Sequence, residues 1–227
     1  MVARAASLRA NVGWAVAGNT GYAACQWAIL VVLARLAGAE ALGRFAFALA
    51  LTGPVLMLTN LHLRAVQATD ARRQFPFGVY LALRLHTIGL ALLGIVGVAL
   101  ALGYRGEALA VILLLALAKS CEAVSDVVFG LLQQAEHLRR IACSMLTKGV
   151  LSVLAMAGIL AATGSVLAAT AGLALAWGLV LVLYDLPAAA RLTSLRPVGD
   201  RRALAALAWL ALPLGCVLGL NSFTTNV

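Results

Sequence analysis

Polar residues are so thinly scattered along this chain that the apolar stretches between them set its architecture. Seven such stretches, at 11–36, 45–63, 77–102, 108–132, 141–163, 166–186 and 203–220, each run about as long as a bilayer crossing needs. A helix rises 1.5 Å per residue and the hydrocarbon core is about 30 Å thick, so roughly 20 apolar residues make one crossing. None of the runs alternates apolar and polar positions as a half-buried strand does. Inside lipid a segment must satisfy its own backbone N–H and C=O groups, and runs without alternation do so as helices. The pattern predicts an all-α polytopic membrane bundle with no soluble domain between its crossings.

Composition agrees: 63% of residues are hydrophobic, 11% are charged, and the mean hydropathy is +1.01, more apolar surface than a globular core can hide. The first run is longer than the about 7–15 residues of a signal peptide, and Asn11, Asn19 and Gln26 interrupt it, so it is read as a true crossing.

The formal charge of +9 could suggest nucleic acid, but the basic residues sort by loop. Arg4, Arg9, Arg64, Arg72, Arg73, Arg139, Arg140, Arg191, Arg196, Arg201 and Arg202 fall on one side of the predicted membrane, and Arg35, Arg44 and Arg105 on the other. Short loops rich in Lys and Arg stay cytoplasmic. The N-terminus is therefore expected inside, and no nucleic-acid partner is expected.

Chemistry in the loops is limited. The outer connections, around 38–44, 103–107 and 163–165, are only a few residues long, and no phosphate-binding glycine loop, Ser/His/Asp set or HExxH motif is present. An enzyme is not expected, and neither is a cofactor. Cys25, Cys121, Cys143 and Cys216 sit in different apolar runs without metal-ligand spacing, and His62, His86 and His137 are scattered, so no metal site is expected. Gly215 and Gly219 form a GxxxG close-packing pair, and Pro54 and Pro213 lie where they could kink their helices. Trp14, Tyr104 and Tyr184 fall at interface depth.

Ionisable groups inside crossings are costly and usually face a cavity or a partner. In the fourth crossing Lys119, Glu122, Asp126 and Gln133 fall within about 60° of arc at helical periodicity. Lys119 and Glu122, spaced i, i+3, can pair along the helix. Asp126 is free to seek a partner elsewhere, and either Arg84 or Lys148 lies at matching depth, roughly 10 Å below the cytoplasmic surface. Asp126 is expected to matter more than its neighbour Ser125. Tyr80, Thr87, Ala91 and Gly94 share a face with Arg84, and Ser144, Ser152 and Ala155 share one with Lys148, faces suited to a protein interior. Asn11, Asn19, Tyr22 and Gln26 make a second stripe within about 80° of arc on the first helix, read either as interhelical hydrogen bonding or as part of a polar pathway.

These residues carry a family resemblance. The stretch NVGWAVAGNTGYAACQWAILVVLARLAGAEALGRFAFALALTGPV from Asn11, then LRAVQATD at 63–70, then LAKSCEAVSDVVFGLLQQAEHLRRIA from Leu117, resembles the N-terminal half of Wzx-like oligosaccharide flippases. These are polysaccharide-biosynthesis membrane proteins of the multidrug/oligosaccharidyl-lipid/polysaccharide superfamily. The resemblance implies two six-helix lobes around a cavity open alternately to each side of the membrane. It also implies a lipid-linked glycan as substrate and the bacterial inner membrane as location. On this reading residues 1–202 form the N-terminal lobe and 203–227 the first helix of a second lobe that stops short. The chain is then expected to be an incomplete transporter whose partners are the bilayer, the glycan, and a missing lobe or other assembly proteins.

Joined to the helix geometry, this gives expected roles. Arg84, Lys119, Lys148, Asn19 and Gln26 would line the substrate pathway, and Glu122 and Asp126 would balance charge or carry a coupling proton. A small-molecule exporter of the same superfamily and a noncatalytic scaffold of the polysaccharide machinery remain as alternatives.

Overall fold

The computed structural model describes residues 8–70 and 72–225. Among them every regular element is helical: α1 (Leu8–Leu36), α2 (Gly38–Thr59), α3 (Leu63–Thr69), α4 (Phe77–Ala101), α5 (Gly106–Gln134), α6 (Leu138–Thr163), α7 (Val166–Val180), a π turn (Leu181–Asp185), α8 (Leu186–Ala190) and α9 (Arg201–Thr225). Six spans among the described residues are long and apolar enough to cross a membrane: Arg9–Leu36, Gly38–Thr69, Phe77–Ala101, Gly106–Gln134, Leu138–Thr163 and Val166–Ala190. The chain is an all-α polytopic bundle. Arg4 lies outside the described residues, as do the surroundings of Gly215, Cys216 and Gly219.

The first six predicted crossings match these spans, with differences at three ends; the seventh falls on α9, which is not among the six spans found in the described residues. The outer connection expected at 38–44 is helical instead: α1 stops at Leu36, and α2 begins at Gly38. Gly38 supplies a φ of 83°, which costs glycine nothing because it has no Cβ. The second crossing does not run unbroken to residue 63. It breaks at 60–62, where Leu61 and His62 take φ values of 49° and 46°, and resumes as the short α3, so Arg64 is helical rather than in a loop. The sixth crossing does not stop at 186 but passes through the π turn ahead of Pro187 and continues as α8 to Ala190. A proline cannot donate to the carbonyl four residues back, and the Leu186 N–H reaches Leu181 O, one residue further than in an α-helix.

Small residues let the helices approach. Gly18 and Gly21 of α1 face Ala142 and Leu146 of α6, and Cys25 faces Gly149, the close backbone packing expected where lipid supplies no hydrophobic drive for association. α5 packs against α2, α3, α4, α6 and α7, which is why one of its faces can meet several partners. Large apolar side chains such as Leu90, Leu93, Leu154 and Leu183 point outward, as helices solvated by acyl chains require.

The interior holds two apolar cores. One gathers Ile29, Phe45, Ile95, Leu115, Leu160 and Trp177, the other Leu63, Tyr80, Val128, Leu132 and Leu207. A polar layer lies between them along the helices: Arg84 on α4, Ser125 on α5, Ser144, Lys148 and Ser152 on α6, and Asp185 in the π turn, all buried.

Candidate functional site

The predicted stripe on α5 faces open space. Lys119, Glu122, Asp126 and Gln133 all line a cavity of about 1160 Å³, bounded also by Asn19 of α1, by Leu49, Gly53, Pro54 and Met57 of α2, and by Asn60, His62 and Arg64 at the α2–α3 break. The cavity runs from the middle of α5, at Lys119, to its end, at Gln133. Pro54 sits on its wall, and without an N–H it leaves the Ala50 carbonyl, also on the wall, without its usual helical donor.

Charges on this wall are paired. Lys119 Nζ lies 2.8 Å from Glu122 Oε2, the i, i+3 pair read from spacing, and the Tyr22 hydroxyl donates to the other Glu122 oxygen. Asp126 stands between two guanidinium groups, Arg64 at 3.5 Å and Arg84 at 3.6 Å. Of the two partners that depth allowed, Asp126 takes Arg84 and not Lys148. Arg64 also donates to Gln133 at 3.2 Å and lies over the Phe129 ring, 5.5 Å from its centroid. These side chains are partly exposed to the cavity, between 27% and 30%.

Arg84 is different, being fully buried behind Asp126 and Asn60. Its Nη1 donates to Asn60 Oδ1, while Nε and Nη2 make no hydrogen bond. Arg84 and Lys148, expected on the pathway, do not line the cavity. Asn19 does line it, and donates to its own helix at Ala15 O (2.7 Å). Gln26 lies outside it, with its Nε2 buried and without a hydrogen bond of good geometry.

Lys148 belongs to a second cluster, which joins α5, α6 and the π turn. Asp185 is fully buried, and its carboxylate accepts from Ser125 and Ser144, each at 2.6 Å. Lys148 donates to Ser125 Oγ at 3.0 Å and lies 4.0 Å from Asp185. Ser125, expected to matter less than Asp126, thus links the two buried charges. Lys148 also stands over the rings of Phe129 and Trp177, at 5.5 and 5.9 Å, and Lys119 lies 5.1 Å from the same Trp177 ring. The indole N–H of Trp177 donates to Ser152 Oγ at 2.6 Å. Two aromatic side chains, Phe129 and Trp177, therefore stand between the cavity cations Arg64 and Lys119 and the buried Lys148.

Sequence reading missed Asn60, Arg64, Ser125, Trp177 and Asp185. Asp185 carried a usable signal: an acidic residue inside an apolar run, two positions before a proline, where a π turn can re-aim it. Nothing in the sequence foretold the break that brings Asn60 and Arg64 to the cavity.

LRAVQATD folds as α3 and its C-terminal turn. Gly130 lets this helix approach α5 so closely that a Cβ there would lie 2.6 Å from the Gln67 amide. Asp70 closes the turn, its carboxylate accepting from the Phe75 N–H and the Tyr80 hydroxyl and its carbonyl from Gln134.

No family model matches the chain, and no solved structure matches it. In sequence it is similar to the capsular polysaccharide biosynthesis protein CapF of Staphylococcus aureus, with 29% identity over 144 residues. The matched stretch is 63% of this chain and 35% of that protein, so the chain spans well under half of the relative's length.

Proposed function

We propose that this chain forms one bundle of a carrier that moves lipid-linked oligosaccharide or polysaccharide across a bacterial inner membrane by alternating access. The observation that carries this reading is the cavity of about 1160 Å³, lined by Lys119, Glu122, Asp126 and Arg64. Its volume exceeds the about 300–1,000 Å³ of ordinary small-ligand pockets. Paired charges of both signs suit a cargo rich in hydroxyl groups, which can exchange hydrogen bonds with them one at a time. The cargo's lipid tail would stay in the bilayer beside the bundle, and an opposing bundle would form the other wall.

Similarity to a capsular polysaccharide biosynthesis protein supports a glycan over a drug as cargo, and the short connections between spans support a carrier over an enzyme. On the loop-charge argument the N-terminus is cytoplasmic, and the end of the cavity at Arg64 and Gln133 opens inward. In this mechanism Asp126 balances Arg64 on the cavity wall and the buried Arg84 behind it, so that Arg64 does not hold an anionic group of the cargo too tightly to release it.

The test is Asp126→Asn introduced into the protein in its natural host. Surface polysaccharide should fall at least several-fold, and lipid-linked intermediate should accumulate, at normal protein level. Unchanged export with normal protein level would make Asp126 a bystander and favour a scaffold. Altered drug resistance with intact export would favour a small-molecule exporter.

A further inference from the structure

Beyond the cavity, between α1, α2, α5 and α7, lies a smaller pocket of about 300 Å³. Leu49 and Lys119 line both spaces and form the wall between them. Most of its lining is apolar, with Phe45, Leu115, Leu173 and Trp177 at its core, and no carboxylate lines it. It reaches the outer face of α1 at Trp27, which is 68% exposed.

Two donors face this space. The Gln26 Nε2 is buried, lying near the Tyr22 hydroxyl but without a hydrogen bond of good geometry, a poorly satisfied state that an arriving acceptor would relieve. The Lys119 ammonium carries three N–H groups, of which Glu122 takes one. The Trp177 N–H is already given to Ser152. An apolar chamber with a cation and a poorly satisfied N–H at one wall is complementary to an apolar body with an anionic head. Lys119 sits near the middle of α5, far from the depth at which a phospholipid headgroup rests, so the head must be small enough to enter with the body.

We propose that this pocket binds a small amphiphilic carboxylate entering from the bilayer past Trp27, its oxygens taking the Gln26 N–H and a free N–H of Lys119. Binding draws Lys119 from Glu122 and so alters the charge pair on the cavity wall. The proposal does not depend on what the cavity carries.

The pocket has its own reporter in Trp177, which is buried at its back. The full chain, with Trp14, Trp27 and Trp209 replaced by phenylalanine, is placed in nanodiscs, and the remaining fluorescence is titrated with 2-bromo-octanoate, whose bromine, next to the head group and so beside Lys119 and Trp177, quenches on contact. Saturable quenching is expected, with 2-bromo-octanol binding about tenfold more weakly for want of the charge-assisted hydrogen bond. Lys119→Met should weaken the carboxylate by about the same factor, and Leu30→Phe, which fills the pocket, should abolish its effect. Should Lys119→Met fail to fold, Gln26→Leu carries the test, with a loss of affinity expected. Absence of quenching, equal quenching by acid and alcohol, indifference to these variants, or quenching of Trp177 by brominated phospholipid alone would each overturn the proposal.

Discussion

Asp185→Asn removes a negative charge that two serines and a lysine enclose in the dry interior. The carboxylate is fully buried and accepts from Ser125 and Ser144 at 2.6 Å each, with the Lys148 ammonium 4.0 Å away. Two unit charges at about 4 Å interact by about 4 kcal/mol when the effective dielectric constant is about 20. Deleting one partner of a buried pair costs about 3–5 kcal/mol in measured cases. Asparagine keeps a carbonyl oxygen for one serine, and Lys148 keeps its contacts with Phe129 and Trp177, so a loss near the lower bound, about 3 kcal/mol, is expected. Lys148→Met leaves the fully buried carboxylate its two serine bonds but no counter-charge, and should cost a similar amount, about 3 kcal/mol. The double variant has neither charge and should recover a coupling energy of about 2 kcal/mol or more. Unfolding free energies of the full chain in bicelles, measured for the four proteins of this cycle, check the values. A coupling below about 0.5 kcal/mol, the level of ordinary additivity, would refute the claim that these charges stabilise each other.

Two further outcomes follow from packing and from loop charge. A Cβ at Gly18 would lie 2.8 Å from the Ala142 backbone whereas one at Gly158 meets nothing within 4 Å, so Gly18→Ala should destabilise by about 1–3 kcal/mol and Gly158→Ala should stabilise by about 0.5–1 kcal/mol; the reverse order in the same unfolding assay would contradict the α1–α6 seam. Single cysteines replacing Arg105 and Gly164, in a cysteine-free chain, should react with an impermeant thiol reagent outside intact cells, and those replacing Arg72, Arg139 and Arg201 should not; the opposite labelling would turn the cavity mouth outward.

Everything that repeats with the helix was legible in the sequence. Lengths of apolar runs fix how many helices can cross a bilayer, because backbone groups in lipid have no other way to be satisfied. The 3.6-residue period puts Lys119, Glu122, Asp126 and Gln133 on one face whatever surrounds them, and the same period pairs Lys119 with Glu122 at 2.8 Å. It also foretold that Tyr80, Arg84, Thr87 and Ala91 would turn inward together, whereas Gly94, placed on the same face, is exposed. Relations between helices were not legible, because they depend on how each helix is rotated and how closely its neighbours approach. Depth allowed Asp126 either Arg84 or Lys148. Packing gave it Arg84, and gave Lys148 to Ser125 and Asp185. Local departures from the period were equally hidden. Positive φ at Leu61 and His62 starts a new helix that carries Arg64 to the cavity, and the π turn before Pro187 aims Asp185 inward from what the sequence presents as the end of a crossing. A linear pattern therefore determined the membrane bundle and its polar face, while the partners of each charge were decided by tertiary packing, since which side chains meet depends on how neighbouring helices are rotated and on local departures such as one added residue in a turn.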